Sequence, residues 1–144
     1  MFEIDEQVKQ AMMIKAMNRR EQAARMIWVN FNFEGIHAYP AAADTAKEGE
    51  YDVSFLQYPH RHTFHFKVQI EVYHSDRDIE FIQFKRWCLN QFGNGDGVIQ
   101  LNNNSCEMLA DSLYNQIALT FPDRRVVIDV SEDLENGCSI TYNK

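Results

Sequence analysis

The sequence predicts an α+β domain in which antiparallel strands form one layer and helices pack against it. Apolar residues recur at intervals of two in some segments and of about four in others, and the resulting order is helix, two strands, two helices, two strands. The chain has 144 residues, 45% of them hydrophobic, which suffices for one compact core. We expect residues 27–144 to form a four-stranded antiparallel sheet with two helices on one face, preceded by a helical extension, residues 1–26.

The N-terminal segment is predicted to be helical. Residues 5–26 are rich in strong helix formers and contain neither glycine nor proline. Met12, Met13 and Met17 fall at helical spacing within it. Because methionine side chains adapt to apolar contacts, we expect these three to pack, with another subunit as one candidate surface.

Two strands and a helix follow. Residues 27–34 and residues 63–73 alternate apolar and polar side chains with a period of two, which is typical of half-buried strands. Residues 38–58, between them, are small, acidic and turn-forming, and a connection of that length is more often functional or mobile than idle. Residues 79–92 then place apolar side chains at roughly helical intervals and stop before Gly93, which predicts a helix.

The last part of the chain predicts a loop, a helix and a hairpin. Residues 93–104 are rich in glycine and asparagine and are predicted to be a loop, in which residues 98–101 could form a brief strand. Residues 105–121 repeat an apolar residue every four positions before Pro122, as a helix with one buried stripe does. Residues 125–132 and 139–142 are separated by turn-forming residues and predict a terminal hairpin.

Composition excludes several classes of protein. The 21 acidic residues outnumber the 14 basic ones, and the net charge of −7 disfavours binding to nucleic acid, which needs clustered cations. No apolar run approaches the roughly 20 residues of a membrane helix. The cysteines, Cys88, Cys106 and Cys138, are odd in number and lack the close paired spacing of a thiolate metal site. We expect a cytoplasmic protein with reduced thiols, which binds neither nucleic acid nor membranes.

Three histidines have the spacing of a metal site. His60 and His62 are two residues apart, so an extended chain projects both imidazoles to one side, the side of Phe64. His37 continues the apolar side of the first strand, so all three rings could meet at adjacent strand ends. Three neutral imidazoles leave an open position on a zinc ion for water or a substrate. Taken alone, the pair is also compatible with an ordinary exposed start of a strand.

Four segments together carry a resemblance to a known family. In order and spacing they resemble 6-pyruvoyl-tetrahydropterin synthase and its bacterial relative 6-carboxy-tetrahydropterin synthase; the segments are FEGIH ending at His37, PHRHTFHFKVQIEV, NSCEMLADSLYNQI and VVIDVSED. The similarity runs from about residue 27 to residue 142 and implies the tunnelling fold, in which subunits join their sheets into a β-barrel. It further implies a homotrimer or homohexamer that binds a pterin or purine ring between subunits, with zinc on His37, His60 and His62.

Two differences from this family concern catalysis. Members usually carry a catalytic cysteine a few residues before the paired histidines, but residues 51–58 contain none, and only Asp52, Ser54 or Tyr58 could offer a polar group there. Many members also carry an Asp-His pair between the two helices, whereas residues 93–104 contain no histidine. Proton transfer would then lack its positioned groups, which weighs against the family's lyase activity.

Two glutamates match the family's ring-binding residues. A carboxylate accepts two parallel hydrogen bonds from the amino group and ring N–H of a pterin or guanine, and the resemblance assigns this to Glu132, helped by Glu107. For Glu107 an alternative is a capping box with Asn104. Glu132 could instead belong to a solvated turn. Cys106, next to Glu107, could be a nucleophile, but we expect a small buried residue.

The sequence leaves three functions open. The first is a zinc-dependent lyase of the 6-pyruvoyl-tetrahydropterin synthase type, which would act on dihydroneopterin triphosphate. The second is a protein that binds a purine nucleotide or a pterin without turnover, as a carrier, a sensor or a sequestering sponge. The third, a purely structural subunit, ranks last because it gives the histidines and Glu132 no role.

Overall fold

The structure is a computed structural model that describes residues 3–47 and 51–144. In chain order its elements are helix α1 (Glu6–Gln22), strand β1 (Arg25–His37), strand β2 (His60–Val72), helix α2 (Phe81–Asn90), strand β3 (Val98–Gln100), helix α3 (Cys106–Thr120), strand β4 (Val126–Glu132) and strand β5 (Asn136–Tyr142). Three short 3-10 helices lie between them, at Pro40–Lys47, Ser54–Gln57 and Gly93–Gly95. The predicted α+β class is confirmed.

The strands form one mixed sheet in the order β3-β1-β2-β4-β5. The pairs β1-β2, β2-β4 and β4-β5 are antiparallel, whereas β3 runs parallel to β1. The predicted four-stranded antiparallel sheet is therefore wrong in one strand. β3 has only three residues and pairs with three at the end of β1, so its pattern is too short to indicate a partner or a direction.

Helix α1 ends earlier than its composition predicts. It stops at Gln22, and β1 begins at Arg25, opposite Val72 of β2. The Arg25 guanidinium donates to the carbonyl oxygens of Ala23, at 3.0 Å, and of Arg20, and so binds the end of the helix. Pairing with β2 thus overrides the helix propensity of residues 25 and 26.

The core lies between one face of the sheet and helices α2 and α3. Strands β1 and β2 contribute alternate residues to it, as their period of two predicts. The helices contribute Phe84 and Cys88 from α2 and Leu109, Leu113 and Ile117 from α3. Both helices therefore cover the same face, as predicted.

Helix α1 makes no comparable contact. None of its residues is buried, and the side chains of Met12, Met13 and Met17 are 56%, 59% and 48% exposed. The predicted packing of these methionines is therefore wrong within the described chain, and their packing against another subunit stays a prediction. In the parts of the chain that the structure describes, no helix combines the length and the apolar character needed to cross a membrane.

Strand register brings the candidate site together. His37 pairs with His60 across β1 and β2, and Gly35 pairs with His62. Glu132, at the end of β4, pairs with Phe64 of β2. The three strands therefore end side by side at one edge of the core.

Candidate metal centre

The three predicted histidines meet at this end of the sheet. One ring nitrogen from each lies within 4.8 Å of the others. The ring centroids are 4.6 Å apart for His37 and His60, 5.0 Å for His60 and His62, and 5.4 Å for His37 and His62. His37 is buried and the other two are half-buried. The arrangement inferred from the strand parities is confirmed.

Each ring is held through its Nδ1 atom. Nδ1 lies 2.7 Å from the carbonyl oxygen of Asn104 in His37 and 2.8 Å from that of Tyr58 in His60. In His62 it lies 2.7 Å from Oδ2 of Asp133. Carbonyl and carboxylate oxygens only accept, so each Nδ1 carries the hydrogen and each neutral ring keeps its lone pair on Nε2. Metal-binding histidines are usually oriented by such contacts.

The Nε2 atoms of His37 and His62 lack a suitable partner. Both are buried and form no hydrogen bond. The carboxylate of Glu132 lies against them, with Oε1 3.1 Å from His37 Nε2 and Oε2 3.3 Å from His62 Nε2. Lone pairs on nitrogen and oxygen repel at that distance unless a cation or a proton is shared between them. Three neutral imidazoles beside a carboxylate are a donor set that suits zinc, so these residues fit a metal ion.

Asp133 is a site residue that the sequence did not predict. Its Oδ1 accepts a hydrogen bond from the Thr63 backbone N–H at 2.9 Å, while Oδ2 accepts from His62. Those bonds, the Thr63 bond first, hold the pKa of the Asp133 carboxyl below its usual range, so the group stays a pure acceptor. In the sequence it belonged to a solvated turn, and its only signal was its place directly after Glu132.

A cleft of 510 Å³ opens beside the histidines. Its lining includes His37, His60 and both predicted ring-binding glutamates, together with Tyr39, Leu56, Asn103, Asn104, Ser105, Cys106, Met108, Asn136 and Gly137. A larger cavity, of 620 Å³, involves His65 and the opposite polar side of the sheet, away from the three rings. The candidate metal ligands therefore lie at the smaller of the two cavities.

The predicted alternative role of Glu107 is wrong. The N-cap of α3 is Ser105, whose Oγ accepts from the Met108 N–H at 3.1 Å, so Asn104 and Glu107 form no capping box. The capping box fails because the helix starts one residue later than the pattern required. Glu107 is instead exposed on the wall of the cleft.

The surroundings of the cysteine at the cleft favour the protonated thiol. Cys106 is buried, and burial, followed by the charge of Glu132, raises its pKa to about 12. Its Sγ lies 3.9 Å from Oε1 of Glu132. The expected structural role is therefore supported, because nucleophilic attack needs the thiolate.

The structure shows other contacts for the polar residues before the paired histidines, Asp52, Ser54 and Tyr58. Hydrogen bonds from Ser54, first that from its side chain and then that from its backbone N–H at 2.8 Å, lower the pKa of the Asp52 carboxyl. Tyr58 contributes its carbonyl oxygen to His60, while its side chain is 65% exposed. Neither side chain is among those that line the cleft.

Comparison with known proteins gives no assignment. No protein-family model matches the chain, and no curated protein is significantly similar to it.

Proposed function

We propose that this protein binds zinc through His37, His60 and His62 and binds the ring of a pterin or a purine nucleotide in the adjacent cleft. It would thus resemble 6-pyruvoyl- and 6-carboxy-tetrahydropterin synthase. The observation that carries the proposal is the set of three rings with bonded Nδ1 atoms, two of which present buried Nε2 atoms without a hydrogen bond.

The cleft supports binding of a small ring. Its volume of 510 Å³ falls within the roughly 300–1,000 Å³ of small-molecule sites. Glu132 and Glu107 line it and offer acceptors only, which suits the adjacent amino group and ring N–H of a guanine or pterin edge. An adenine edge lacks this pair of donors, so it provides the discriminating comparison.

Binding without turnover is the second candidate function. The protonated thiol of Cys106 and the lack of a cysteine in residues 51–58 favour it over the family's lyase reaction. A carrier, a sensor or a sequestering protein needs only the metal and the ring contacts. The cleft offers the carboxylates of Glu107 and Glu132 but neither the family's cysteine nor its Asp-His pair, which position proton transfer in an active lyase.

We further propose a ring-shaped homotrimer or homohexamer with the cleft between subunits. The outer edge of β5 has no partner strand among the described residues, and β3 covers only three residues of the edge of β1. Unpaired edges are usually covered or paired, and joining the sheets of neighbouring subunits would pair them.

Metal content tests the first half of the proposal. Protein purified without chelator should hold about one zinc per chain, and His62→Ala should lose it, because two imidazoles bind zinc far more weakly than three. The matched control is His65→Ala, which removes a histidine from the same strand but from its other face. Wild-type protein that takes up no zinc, or a His62→Ala variant that binds it normally, would contradict the proposal.

Calorimetric titration tests the second half. A guanine nucleotide and a pterin should bind to the zinc-loaded protein, and an adenine nucleotide should bind much more weakly. Glu132→Gln should weaken guanine binding about tenfold to a hundredfold, since a donor–donor conflict replaces a charge-assisted bond. Glu135→Gln, in the neighbouring turn, is the control, and the zinc content of each variant is measured first. Equal affinity for all three ligands would remove Glu132 as the ring contact.

One further measurement separates the two functions. Dihydroneopterin triphosphate is added to the zinc-loaded protein, and its absorbance is followed. An unchanged spectrum with measurable binding supports the binding protein, whereas a zinc-dependent change supports the lyase.

A further inference from the structure

Helix α1 is exposed on all sides. It has 17 residues, none of them buried, whereas α2 and α3 each bury a face in the core. Six large apolar side chains in and just before it are between 45% and 59% exposed: Ile4, Val8, Met12, Met13, Ile14 and Met17. In proteins most of the stability of a helix comes from packing of its apolar residues, which α1 lacks in its own chain. A contact with another surface would account for both the helix and its apolar residues.

The direction of α1 is fixed by the end of the sheet. Only Ala23 and Ala24 separate it from β1. Arg25 holds this junction, because its guanidinium donates to the carbonyl oxygens of Arg20 and Ala23 and its Nε lies 2.9 Å from Oγ of Ser75. A two-residue link spans at most about 7 Å, and α2 and α3 already cover the core face of the sheet. The surface that receives α1 is therefore not the core of its own chain.

The charge of α1 is complementary to the rest of the chain. Helix α1 contains four basic residues and two acidic ones, Glu6 and Glu21 near its ends, which leaves ten basic and 19 acidic residues outside it. Val8, Met12, Lys15 and Arg19 recur at intervals of three or four, so one helix face is apolar in its first half and basic in its second. Such a face fits an acidic surface with exposed apolar side chains.

The same chain offers a surface of that kind. Helix α3 contains two acidic residues, Glu107 and Asp111, and no basic residue. Met108 and Leu119 on the same helix are 54% and 79% exposed. A second copy therefore presents both the charge and the apolar contacts that α1 lacks in its own chain.

We propose that α1 is an exchanged arm that docks on an acidic, partly apolar surface of a second copy of this chain. Apolar contacts of Val8 and Met12 hold the arm, and Lys15 and Arg19 lie against carboxylates of the neighbour. The proposal does not depend on zinc or on a bound ring, so its failure leaves those two parts of the proposed function standing. A monomeric protein would contradict the proposed oligomer as well, whereas arm crosslinks within one chain of an oligomer would contradict the exchange alone.

Zero-length crosslinking of lysines to carboxylates tests the exchange. Isotopically light and heavy full-length proteins are unfolded together, refolded as a mixture, and crosslinked at micromolar concentration. The expected products are peptides of mixed isotope in which Lys9 or Lys15 is joined to an acidic residue within residues 24–144. The proposal would be overturned if every crosslink from α1 joined two peptides of the same isotope, or if the protein sedimented as a monomer.

A matched pair of variants shows whether the apolar face of the arm is responsible. Val8→Gln combined with Met12→Gln keeps helix-forming residues and should reduce the mixed crosslinks roughly tenfold. Phe81→Gln combined with Ile82→Gln, at similarly exposed positions of α2, should leave their yield unchanged. The zinc content and the thermal stability of residues 24–144 should be the same in the two double variants. Undiminished mixed crosslinks in the arm variant would show that α1 does not dock through this face.

Discussion

At the scale of single residues, the site depends on which nitrogen of each histidine carries the hydrogen. Asn104 and Tyr58 set this through backbone carbonyl oxygens, which no substitution removes. Only His62 is oriented by a side chain, that of Asp133. Asp133 has a φ of 54°, in the left-handed region that aspartate and asparagine tolerate best among residues other than glycine.

Asp133→Asn should therefore disturb the candidate metal site, and with it the proposed zinc binding, without disturbing the turn. The amide oxygen can still accept from the Thr63 N–H, but the amide nitrogen then faces the Nδ1 hydrogen of His62, which favours the wrong tautomer. We expect zinc affinity to fall about tenfold to a hundredfold, the usual effect of losing such a contact. Competition with a chromophoric chelator measures it.

The matched control for this variant is Glu135→Gln, an exposed acidic residue of the same turn. The thermal midpoint of the metal-free protein should be nearly equal in the two variants. Unchanged zinc affinity in Asp133→Asn would mean that Asp133 does not orient His62.

At the scale of elements, the β4-β5 hairpin positions Glu132 and Asp133. Asp133 and Leu134 have φ values of 54° and 60°, as the central pair of a type I′ turn requires. Gly137 pairs with Ser131 just beyond the turn. A Cβ atom there would lie 2.2 Å from the Val130 carbonyl oxygen and 2.7 Å from Ser131 Cα, so the two backbones are too close for any side chain.

Gly137→Ala should therefore destabilise the protein by about 1–3 kcal/mol, as overpacking against rigid atoms does. Urea unfolding measures the effect. Gly35→Ala provides the comparison, because its Cβ would meet side chains and not backbone, Leu101 Cδ1 at 2.5 Å and the Phe64 ring at 3.0 Å, and the cost should be smaller. Equal stability of Gly137→Ala and wild type would contradict the close approach of the two strands.

At the scale of the whole molecule, a charged cluster lies at the end of the sheet opposite the histidines. Arg124 donates to Asp78 at 2.8 Å and to the Glu71 carbonyl at 3.0 Å, and Lys144 pairs with the Glu71 carboxylate at 2.8 Å. These contacts join β2, the start of β4 and the C-terminal residue. The hydrogen bond from Arg124 is the main reason that the pKa of Asp78 lies below its ordinary value of 3.8.

The salt bridge between Arg124 and Asp78 predicts a specific loss of stability in acid. A carboxyl with a lowered pKa in the folded state stabilises the fold above its unfolded pKa, and the contribution disappears as the pH falls through the lowered value. Asp78→Asn should cost up to about 1 kcal/mol near neutral pH, and the cost should shrink as the pH falls through the lowered pKa of Asp78. Urea unfolding across this range measures it, with exposed Asp76→Asn as control. A cost that does not change with pH would exclude the bridge as its source.

Periodicity predicted most of the fold because burial on one face imposes it locally. The alternation in β1 and β2 and the four-residue repeat of α3 each follow from contact with one core, so they can be read within a short window. The same parity put His37, His60 and His62 on one side before any strand pairing was known. The end of α1 and the direction of β3 were not predictable in this way, because pairing with distant residues decides both.

The sequence by itself determined the α+β class, the face of each main strand and the identity of the three candidate metal ligands. Only the tertiary structure decided that Asp133 orients His62, that Glu132 lies against two of the three rings, and that Ser105 and not Asn104 caps α3. The physical reason is the separation along the chain of the residues that interact. Periodicity is a local consequence of burial, whereas a hydrogen bond such as that from His62 to Asp133 joins side chains 71 positions apart, which only the pairing of strands brings together.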